Sequence, residues 1–451
     1  MQDVCYGDTS LQDAASLNDW NATVRAFLAH GSTTPTHLGA VLAANPDFAM
    51  AQAVRGLFCM LLGRREMVAT ATEALALAMN GRANHPREQA FVQALRVWLN
   101  GHPTQAIAAL ESILAANPAD TLAMKLSQAI RFVMGDAKGM RASVERVLAA
   151  HGPDHALRGF AHGCHAFTLE ETGDYAGAEA AGLFGLEAAP DDAWGLHAVT
   201  HVYDMTAQSQ RGIDLITARD GSWLHCNNFR YHVWWHKALL HLDQGQIDAV
   251  LDIYDSKMRA DKTDDYRDIA NASSLLMRLQ LEGICVGARW DELADLSESR
   301  IDDGCLAFAD LHYMLALMGG ERDLAIQKLL SRLGQTAKSM PDAEFDKILA
   351  HPGLACANGL AAFAEGNFEA SFVALSAARP VMQSIGGSHA QRDVFERLTI
   401  DAGIRAGQAD KAEALLLQRI SLRAGAEDHF TALRRDAIAA MRRNTFVHAA
   451  Q

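Results

Sequence analysis

The chain has 451 residues and a formal net charge of −14 at pH 7, with acidic and basic residues interspersed along its length. This balance favours a soluble protein and disfavours binding to the phosphate backbone of nucleic acids. No stretch approaches the roughly 20 apolar residues that span a bilayer, so we expect no membrane partner. The first residues, 1–19, lack the basic and apolar regions of a signal peptide, which predicts a cytoplasmic protein.

Seven cysteines are scattered through the sequence without a CxxC pair. An odd, dispersed set fits neither a disulfide framework nor a cysteine-based zinc site. We therefore predict that all seven are reduced, buried core residues: Cys5, Cys59, Cys164, Cys226, Cys285, Cys305 and Cys356.

The composition predicts an all-α protein. Alanine and leucine are abundant, β-branched runs are scarce, and only 10 prolines occur. Apolar residues recur at spacings of three and four, as in Phe395, Leu398 and Ala402, which is the period of a helix.

An internal repeat defines the architecture more closely. Two segments share one frame, in which a small residue precedes a glycine by seven positions and a second small residue and a proline follow. The frames are Ala94, Gly101, Ala106, Pro118 and Ala166, Gly173, Ala178, Pro190. They lie 72 residues apart, which is two units of 36, and Gly135 falls near the midpoint. The small residues allow close helix packing, the glycine suits a tight turn, and the proline ends a helix.

This frame looks like the tetratricopeptide repeat, so we predict an α-solenoid or superhelix of helix-turn-helix repeats. We expect one domain over 1–451, with 1–45 as the N-terminal cap and 415–451 as the C-terminal cap. Weaker echoes of the frame predict further turns at Gly63, Gly245, Gly320, Gly366 and Gly407.

Histidine is concentrated in one segment: six of 19 lie at His197, His201, His225, His232, His236 and His241. Within it, His197 with His201 and His232 with His236 are i, i+4 pairs, so each pair projects from one helix face. Both pairs precede a repeat turn, which places them on first helices, where they can converge on a concave groove. Asp204 lies three residues beyond His201 and can join its face.

Two kinds of chemistry suit these pairs. Imidazoles with a nearby carboxylate bind divalent metals, and they also transfer protons near neutral pH. We therefore assign catalytic roles to His201, Asp204, His232 and His236, and ligand contacts to His197 and Trp235. The alternative is that these histidines are hydrogen-bonded packing residues among Trp194, Trp234 and Trp235. A bound metal and its identity stay open.

A second polar segment runs from Gly386 to Asp393. A Gly-Gly-Ser sequence that opens a helix can present backbone N–H groups to an anion, and Arg392 can bind a carboxylate or phosphate. We therefore add His389 and Arg392 to the ligand contacts, together with His312, which precedes another turn. The alternative is a capped helix start with Ser388 as the N-cap and a structural Arg392–Asp393 pair.

These motifs together resemble the tetratricopeptide repeat protein 38 family. The resemblance rests on the segments 45–50, 197–205, 232–239 and 386–395, and it extends over nearly the whole chain. It implies a helical-repeat fold, and it implies that the polar His, Asp and Arg segments matter beyond repeat packing. Relatives carry Glu where Asp204 stands, which retains a carboxylate, and can carry Asn where His389 stands.

The sequence is compatible with two functions. The first is binding of a small polar or anionic organic ligand in a histidine-lined concave pocket, with acid–base or metal-assisted catalysis as an open question. The alternative is a protein-interaction scaffold that binds a peptide in its groove, the usual role of such repeats. A homo-oligomer is compatible with either. Nucleotide-binding and common hydrolase motifs such as GxxxxGK[ST], GxGxxG, GxSxG and HExxH are missing from the sequence, so no nucleotide cofactor is implied.

Overall fold

The computed structural model describes residues 1–339 and 342–449, and over these ranges the chain is built from α-helices joined by turns. In this part of the chain, β-structure is limited to isolated bridges such as that between Gly31 and Cys226. None of its helices is both long enough and apolar enough to cross a lipid bilayer. The last two residues of the predicted C-terminal cap, 450–451, lie outside the described residues.

The helices follow one another with short connections. In the first half of the chain they are α1 (Ala14–Leu28), α2 (Thr34–Ala44), α3 (Ala49–Leu61), α4 (Arg65–Asn80), α5 (Pro86–Leu99), α6 (Pro103–Ala116), α7 (Thr121–Val133), α8 (Ala137–Val147), α9 (Arg158–Glu171), α10 (Tyr175–Ala188), α11 (Ala193–Met205) and α12 (Ser209–Ala218). In the second half they are α13 (Phe229–Asp243), α14 (Ile247–Ile253), α15 (Tyr266–Leu281), α16 (Arg289–Ser299), α17 (Ala307–Gly319), α18 (Asp323–Lys338), α19 (Glu344–Ile348), α20 (Leu354–Ala364), α21 (Phe368–Ala378), α22 (His389–Arg405), α23 (Ala409–Leu422) and α24 (His429–Ala449). Short 3₁₀ or π turns occupy Leu148–Ala150, Asp220–Ser222, Tyr254–Met258, Leu349–Gly353 and Arg379–Ile385.

The described chain divides into two compact units. The first unit comprises Met1–Val202, Leu215–Arg230 and Asp342–Phe345. The second unit comprises the remaining described residues.

The first unit is a stack of helix hairpins. α3 packs on α4, α5 on α6, α7 on α8 and α9 on α10. The turn of each hairpin contains a glycine in the left-handed region: Gly63 (φ 59°), Gly101 (φ 88°), Gly135 (φ 69°) and Gly173 (φ 85°). The small residues of the frame, including Ala94 and Ala166, are fully buried where the helices meet. The predicted turns and packing positions are thus confirmed in this unit.

The second unit repeats the same turn every 38–45 residues, so its repeats are longer than the roughly 34 residues of a tetratricopeptide repeat. The left-handed residues at these repeat turns are Ala207, Gly245, Gly283, Glu321, Gly366 and Gly407. The turn predicted at Gly320 is displaced by one position, because Glu321 (φ 54°) takes the left-handed conformation and Gly320 does not. Gly320 instead lies against α16, where a Cβ atom would collide with Ala294. The fold is therefore all-α, built from tetratricopeptide-like helix-turn-helix repeats, as predicted.

Helix α15 has a special place in the second unit. It packs on α16 and α17, which follow it, and also on α22, which comes more than 100 residues later in the chain. It is buried along nearly its whole length, including the polar residues Asn271, Ser274 and Arg278. Its packing goes beyond the neighbour-to-neighbour contacts that repeats of this kind require.

Buried ion pairs hold α22 to the helices that follow it. Arg419 contacts Asp393 and Asp428 at 2.6 Å each, and Arg397 contacts Asp393 at 2.7 Å. Burial raises the pKa of Asp393, but the charges of Arg419 and Arg397 outweigh it and hold that pKa well below its usual range. Removing one partner of such a network would leave a buried charge uncompensated.

All seven cysteines are free thiols. Cys5, Cys164, Cys226 and Cys356 are buried, as predicted. Cys59 and Cys305 are only partly buried. The prediction is wrong for Cys285, which is exposed because it lies in the connection between α15 and α16 rather than on a helix face.

The repeat turns give a direct test of conformational strain. At Gly173, an added Cβ would meet no atom within 4 Å, but the backbone is left-handed. We expect Gly173→Ala to lower the free energy of unfolding by roughly 1–2 kcal/mol, because a left-handed conformation costs an L-residue about that much. Gly152→Ala is the matched control, since that site also has open space and no left-handed backbone. Equal unfolding free energies for the two variants would contradict the strain argument.

Candidate functional site

The first histidine pair lies on α11, in the first unit. His197 and His201 are buried, and their Nε2 atoms are 2.8 Å apart. Aromatic rings surround them, with Phe167 5.6 Å from His197 and Phe229 5.4 Å from it, centroid to centroid. Trp194 lies 5.0 Å from His197 and completes this aromatic environment.

A buried carboxylate lies beside His201. Glu170 Oε2, on α9, lies 3.4 Å from His201 Nδ1, and both side chains are fully buried. Glu171 is also near, since it, Glu170 and His201 offer possible ligand atoms within 4.8 Å of one another. A carboxylate on one ring nitrogen fixes the tautomer and leaves the other nitrogen directed at a ligand or metal.

Asp204, which we expected to supply a carboxylate, forms an ion pair in the second unit. Its Oδ1 lies 3.3 Å from Arg423 Nη2, and its backbone carbonyl accepts a hydrogen bond of 2.5 Å from the same group. Its catalytic role stays a prediction.

Asp192 fixes the start of α11. Its Oδ1 accepts a hydrogen bond of 3.2 Å from the Trp194 backbone N–H. A Cβ atom on Gly163 or Gly195 would collide with this carboxyl group, so both positions need glycine. Burial raises the pKa of Asp192 to about 7, although Lys125 acts in the opposite direction. This cap holds the helix that carries His197 and His201.

The second histidine pair lies on α13, in the second unit. His232 Nε2 and His236 Nε2 are 3.2 Å apart, and His232 Nδ1 lies 3.0 Å from Asn271 Oδ1 on α15. His236 is 1% exposed, whereas His232 is partly buried. Trp235 stacks on His232 with ring centroids 5.2 Å apart and meets the edge of His236 at 4.7 Å.

The two pairs share one local geometry. In each, two Nε2 atoms face each other and an oxygen lies 3.0–3.4 Å from one Nδ1 atom. Their separations suit a shared proton, and the 3.2 Å spacing of the second pair is close to the ~3.4 Å edge of a tetrahedral zinc site. The predicted convergence of the two pairs stays a prediction.

His312 lies on α17, also in the second unit. Its Nδ1 lies 2.7 Å from the Phe308 carbonyl oxygen, so this nitrogen carries the proton and Nε2 is an acceptor. Within the part of the chain that the structure describes, Nε2 is buried without a hydrogen-bond partner. Burial lowers the pKa of His312 to about 4, and the positive charge of Arg278 also lowers it. The ring is therefore neutral at pH 7.

The Gly386–Asp393 segment is a capped helix start. Ser388 accepts from the Gln391 backbone N–H, and the Gln391 side chain accepts from the Ser388 N–H. His389 is the first residue of α22, and the Arg392 guanidinium donates to the carbonyl oxygens of Gly386 and Gly387. The structure thus has the N-cap of the alternative interpretation, while Asp393 pairs with Arg397 and Arg419.

Three polar residues were not singled out by sequence reasoning. Glu170 precedes a repeat turn, where a carboxylate is typical of a solvated helix end. Asn271 and Arg278 lie seven positions apart and share a helix face with Ser274, a spacing that could have identified a polar stripe. A polar stripe is usually exposed, so nothing in the sequence indicated that these residues are buried.

No known protein-family profile matches the sequence. Similar solved structures include a monomeric mutant of IFIT1 with Gppp-AAAA (12% identity, TM-score 0.37, covering 96% of this chain and 96% of that chain). They also include yeast Tom70 (13% identity, TM-score 0.35, covering 95% of this chain and 88% of that chain). A third is Naa15/Naa10 bound to HypK-THB (14% identity, TM-score 0.25, covering 96% of this chain and 66% of that chain). At these TM-scores the likenesses carry no argument about function. The chain is a tetratricopeptide-like helical-repeat protein on the basis of its own helix pairs.

The low pKa of His312 predicts a pH-dependent stability. An unfolded histidine binds a proton near pH 6.5, whereas folded His312 does so only near pH 4, so stability is lost as the pH falls through this window. We expect His312→Gln to reduce the loss of unfolding free energy between pH 7 and pH 5 by roughly 2 kcal/mol. Urea unfolding at pH 7 and pH 5 measures the unfolding free energies of the wild type and the variant, with His241→Gln as the control. An unchanged pH dependence in His312→Gln would show that the ring is not held neutral.

Proposed function

We propose that this protein binds a small polar or anionic organic ligand at a buried group of side chains in its second unit. We call this group the polar cluster; its members are His232, Trp235, His236, Asn271, Arg278 and His312. The observation that carries the proposal is the imidazole pair of His232 and His236, turned Nε2 to Nε2 and anchored through Asn271. Such a fixed, largely buried pair is suited to recognition or proton transfer.

Unsatisfied polar atoms in the cluster favour a ligand over simple packing. In the described residues, neither Trp235 Nε1 nor His312 Nε2 has a hydrogen-bond partner, although both atoms are buried. Leaving a buried donor or acceptor unpaired costs about 1–3 kcal/mol, so a purely structural core would replace these groups by apolar ones. A polar ligand would satisfy both atoms.

The hydrogen bonds define what the pair can do. With Asn271 Oδ1 as the acceptor, His232 carries its proton on Nδ1 and its Nε2 is a lone-pair acceptor. The proton between the two rings then belongs to His236 Nε2. This arrangement supports proton exchange with a ligand, and both Nε2 atoms can coordinate a divalent metal when His236 carries its proton on Nδ1 instead.

The family resemblance agrees with this location. Two of its segments, 232–239 and 386–395, both contact α15: His232 bonds Asn271, and the Ala390 carbonyl accepts from Arg278. The tetratricopeptide repeat protein 38 family would then share the polar cluster as well as the repeat. A peptide-binding scaffold would have no need for these buried contacts.

Capture of small molecules tests the proposal. The untagged full-length protein is incubated with a peptide-free small-molecule extract of cells, and retained compounds are identified by mass spectrometry. We expect specific retention by the wild type and a loss of at least about tenfold in His236→Ala, because a charge-assisted or paired hydrogen bond is removed. His241→Ala, on the same helix but bonded to Gln246, is the matched control and should retain the compound.

Two further readouts separate the alternatives. Elemental analysis of the same samples shows whether a divalent metal is present and whether His236→Ala removes it. A parallel incubation with a peptide fraction of the same cells is the second readout. Retention of peptides there, unchanged in His236→Ala, with no retention of small molecules from the peptide-free extract, would support the scaffold function and contradict the proposal.

A further inference from the structure

Among the described residues, Arg278 is a buried cation without a carboxylate partner. It lies on α15 and is 1% exposed. Its guanidinium donates to the carbonyl oxygens of Ser274 at 3.1 Å and Ala390 at 2.7 Å, and it lies 5.6 Å from the Trp235 ring centroid. A guanidinium has five N–H donors. These two hydrogen bonds therefore leave three donors without an acceptor among the described residues.

The other buried arginines of this unit are neutralised. Among its described residues, each of these arginines is paired with an acidic side chain, as the following pairs show: Arg259 with Glu292, Arg419 with Asp428, Arg423 with Asp204, and Arg434 with Asp401. Within the described chain, no carboxylate lies within 4.0 Å of the Arg278 guanidinium. The nearby Asp393 and Asp204 raise its pKa through charge but are already held by Arg419 and Arg423.

This arrangement is costly for the folded protein on its own. Burial, followed by the charge of Arg397, lowers the pKa of Arg278 to about 9. An isolated cation in the interior is strongly disfavoured unless an anion accompanies it. Both carbonyl acceptors of Arg278 lie within helices, so they would keep backbone partners if the side chain were removed. Packing alone therefore does not explain why an arginine occupies this position.

We propose that Arg278 binds the oxyanion of the ligand, a carboxylate or a phosphate, while His312 Nε2 accepts a hydrogen bond from a hydroxyl or N–H group of the same molecule. The inference rests on the proposed ligand-binding function and narrows its ligand class to small organic oxyanions. A guanidinium recognises carboxylate and phosphate oxygens in a bidentate manner, which suits either anion.

The surroundings of Arg278 fit this class. Phe308 and Phe395 lie 4.2 Å and 5.1 Å from the His312 ring, and Trp235 provides a flat apolar face beside Arg278. Apolar walls with a few fixed polar groups are typical of small-molecule sites. The Arg278–Ala390 hydrogen bond also ties the start of α22 to this place.

Thermal unfolding of the full-length protein with two probe anions tests the inference. Inorganic phosphate and malonate are titrated separately, with chloride at matched ionic strength as the reference. We expect a saturable rise in the midpoint of the wild type with at least one probe, and the two arms distinguish a phosphate from a carboxylate preference. Arg278→Met should weaken that binding at least about tenfold, because charge-assisted hydrogen bonds are lost.

Stability without a probe separates a binding role from a structural one. We expect the midpoint of Arg278→Met to equal or exceed that of the wild type, because an unpaired buried charge has been removed. Arg278→Lys keeps the charge and should retain part of the anion response, and exposed Arg435→Met should respond as the wild type does. A lower midpoint in Arg278→Met with an undiminished anion response would overturn the inference.

The two proposals can fail separately. If neither anion stabilises the wild type beyond chloride while His236-dependent capture persists, the role of Arg278 is wrong and the ligand-binding function stands. If the anion response is lost in Arg278→Met but no organic compound is captured, Arg278 binds an inorganic anion and the proposed organic ligand is wrong.

Discussion

The polar face of α15 is the constraint on which the second unit depends. Asn271, Ser274 and Arg278 follow one another along a helix that is buried by its neighbours. Buried polar groups require partners, and those found here come from separate parts of the chain: His232 on α13 and the Ala390 carbonyl on α22. The hydrogen bonds that satisfy α15 therefore also set the positions of the helices around it.

The arginines that pair α22 with the helices after it differ from Arg278, because each of them has an acidic partner. Arg419 has acidic partners on two sides, and Arg434 is bound to Asp401 at 2.7 Å. These charges are compensated and stabilise the packing of α22 in the position where it reaches α15. Among the described residues, Arg278 has no carboxylate partner in the same environment, which is the pattern expected where stability is reduced for function. One part of the unit is thus arranged for packing, and we propose that the other serves recognition.

The sequence allowed the repeat to be predicted because its determinants are local. The turns at Gly101, Gly135 and Gly173 follow from glycine in a fixed frame, and the N-cap at Ser388 follows from its own neighbours. The turn predicted at Gly320 is one residue too early, because the packing of Gly320 against Ala294 leaves no local signature in the sequence.

The candidate site was less accessible to sequence reasoning. The histidine pairs were visible because two residues at i, i+4 need only one helix, and both pairs are indeed bonded within themselves. Glu170, Asn271 and Arg278 became candidates only through tertiary contacts. The burial of Arg278 depends on α22, more than 100 residues later, and no pattern around position 278 encodes that contact.

An experimental structure of the protein with saturating malonate or phosphate would test the central claim most directly. The claim is that the polar face of α15 is completed by a bound oxyanion. It predicts anion oxygens within hydrogen-bond distance of the Arg278 guanidinium, with His232 still bonded to Asn271. A guanidinium paired with a protein carboxylate, and no anion beside α15, would contradict it.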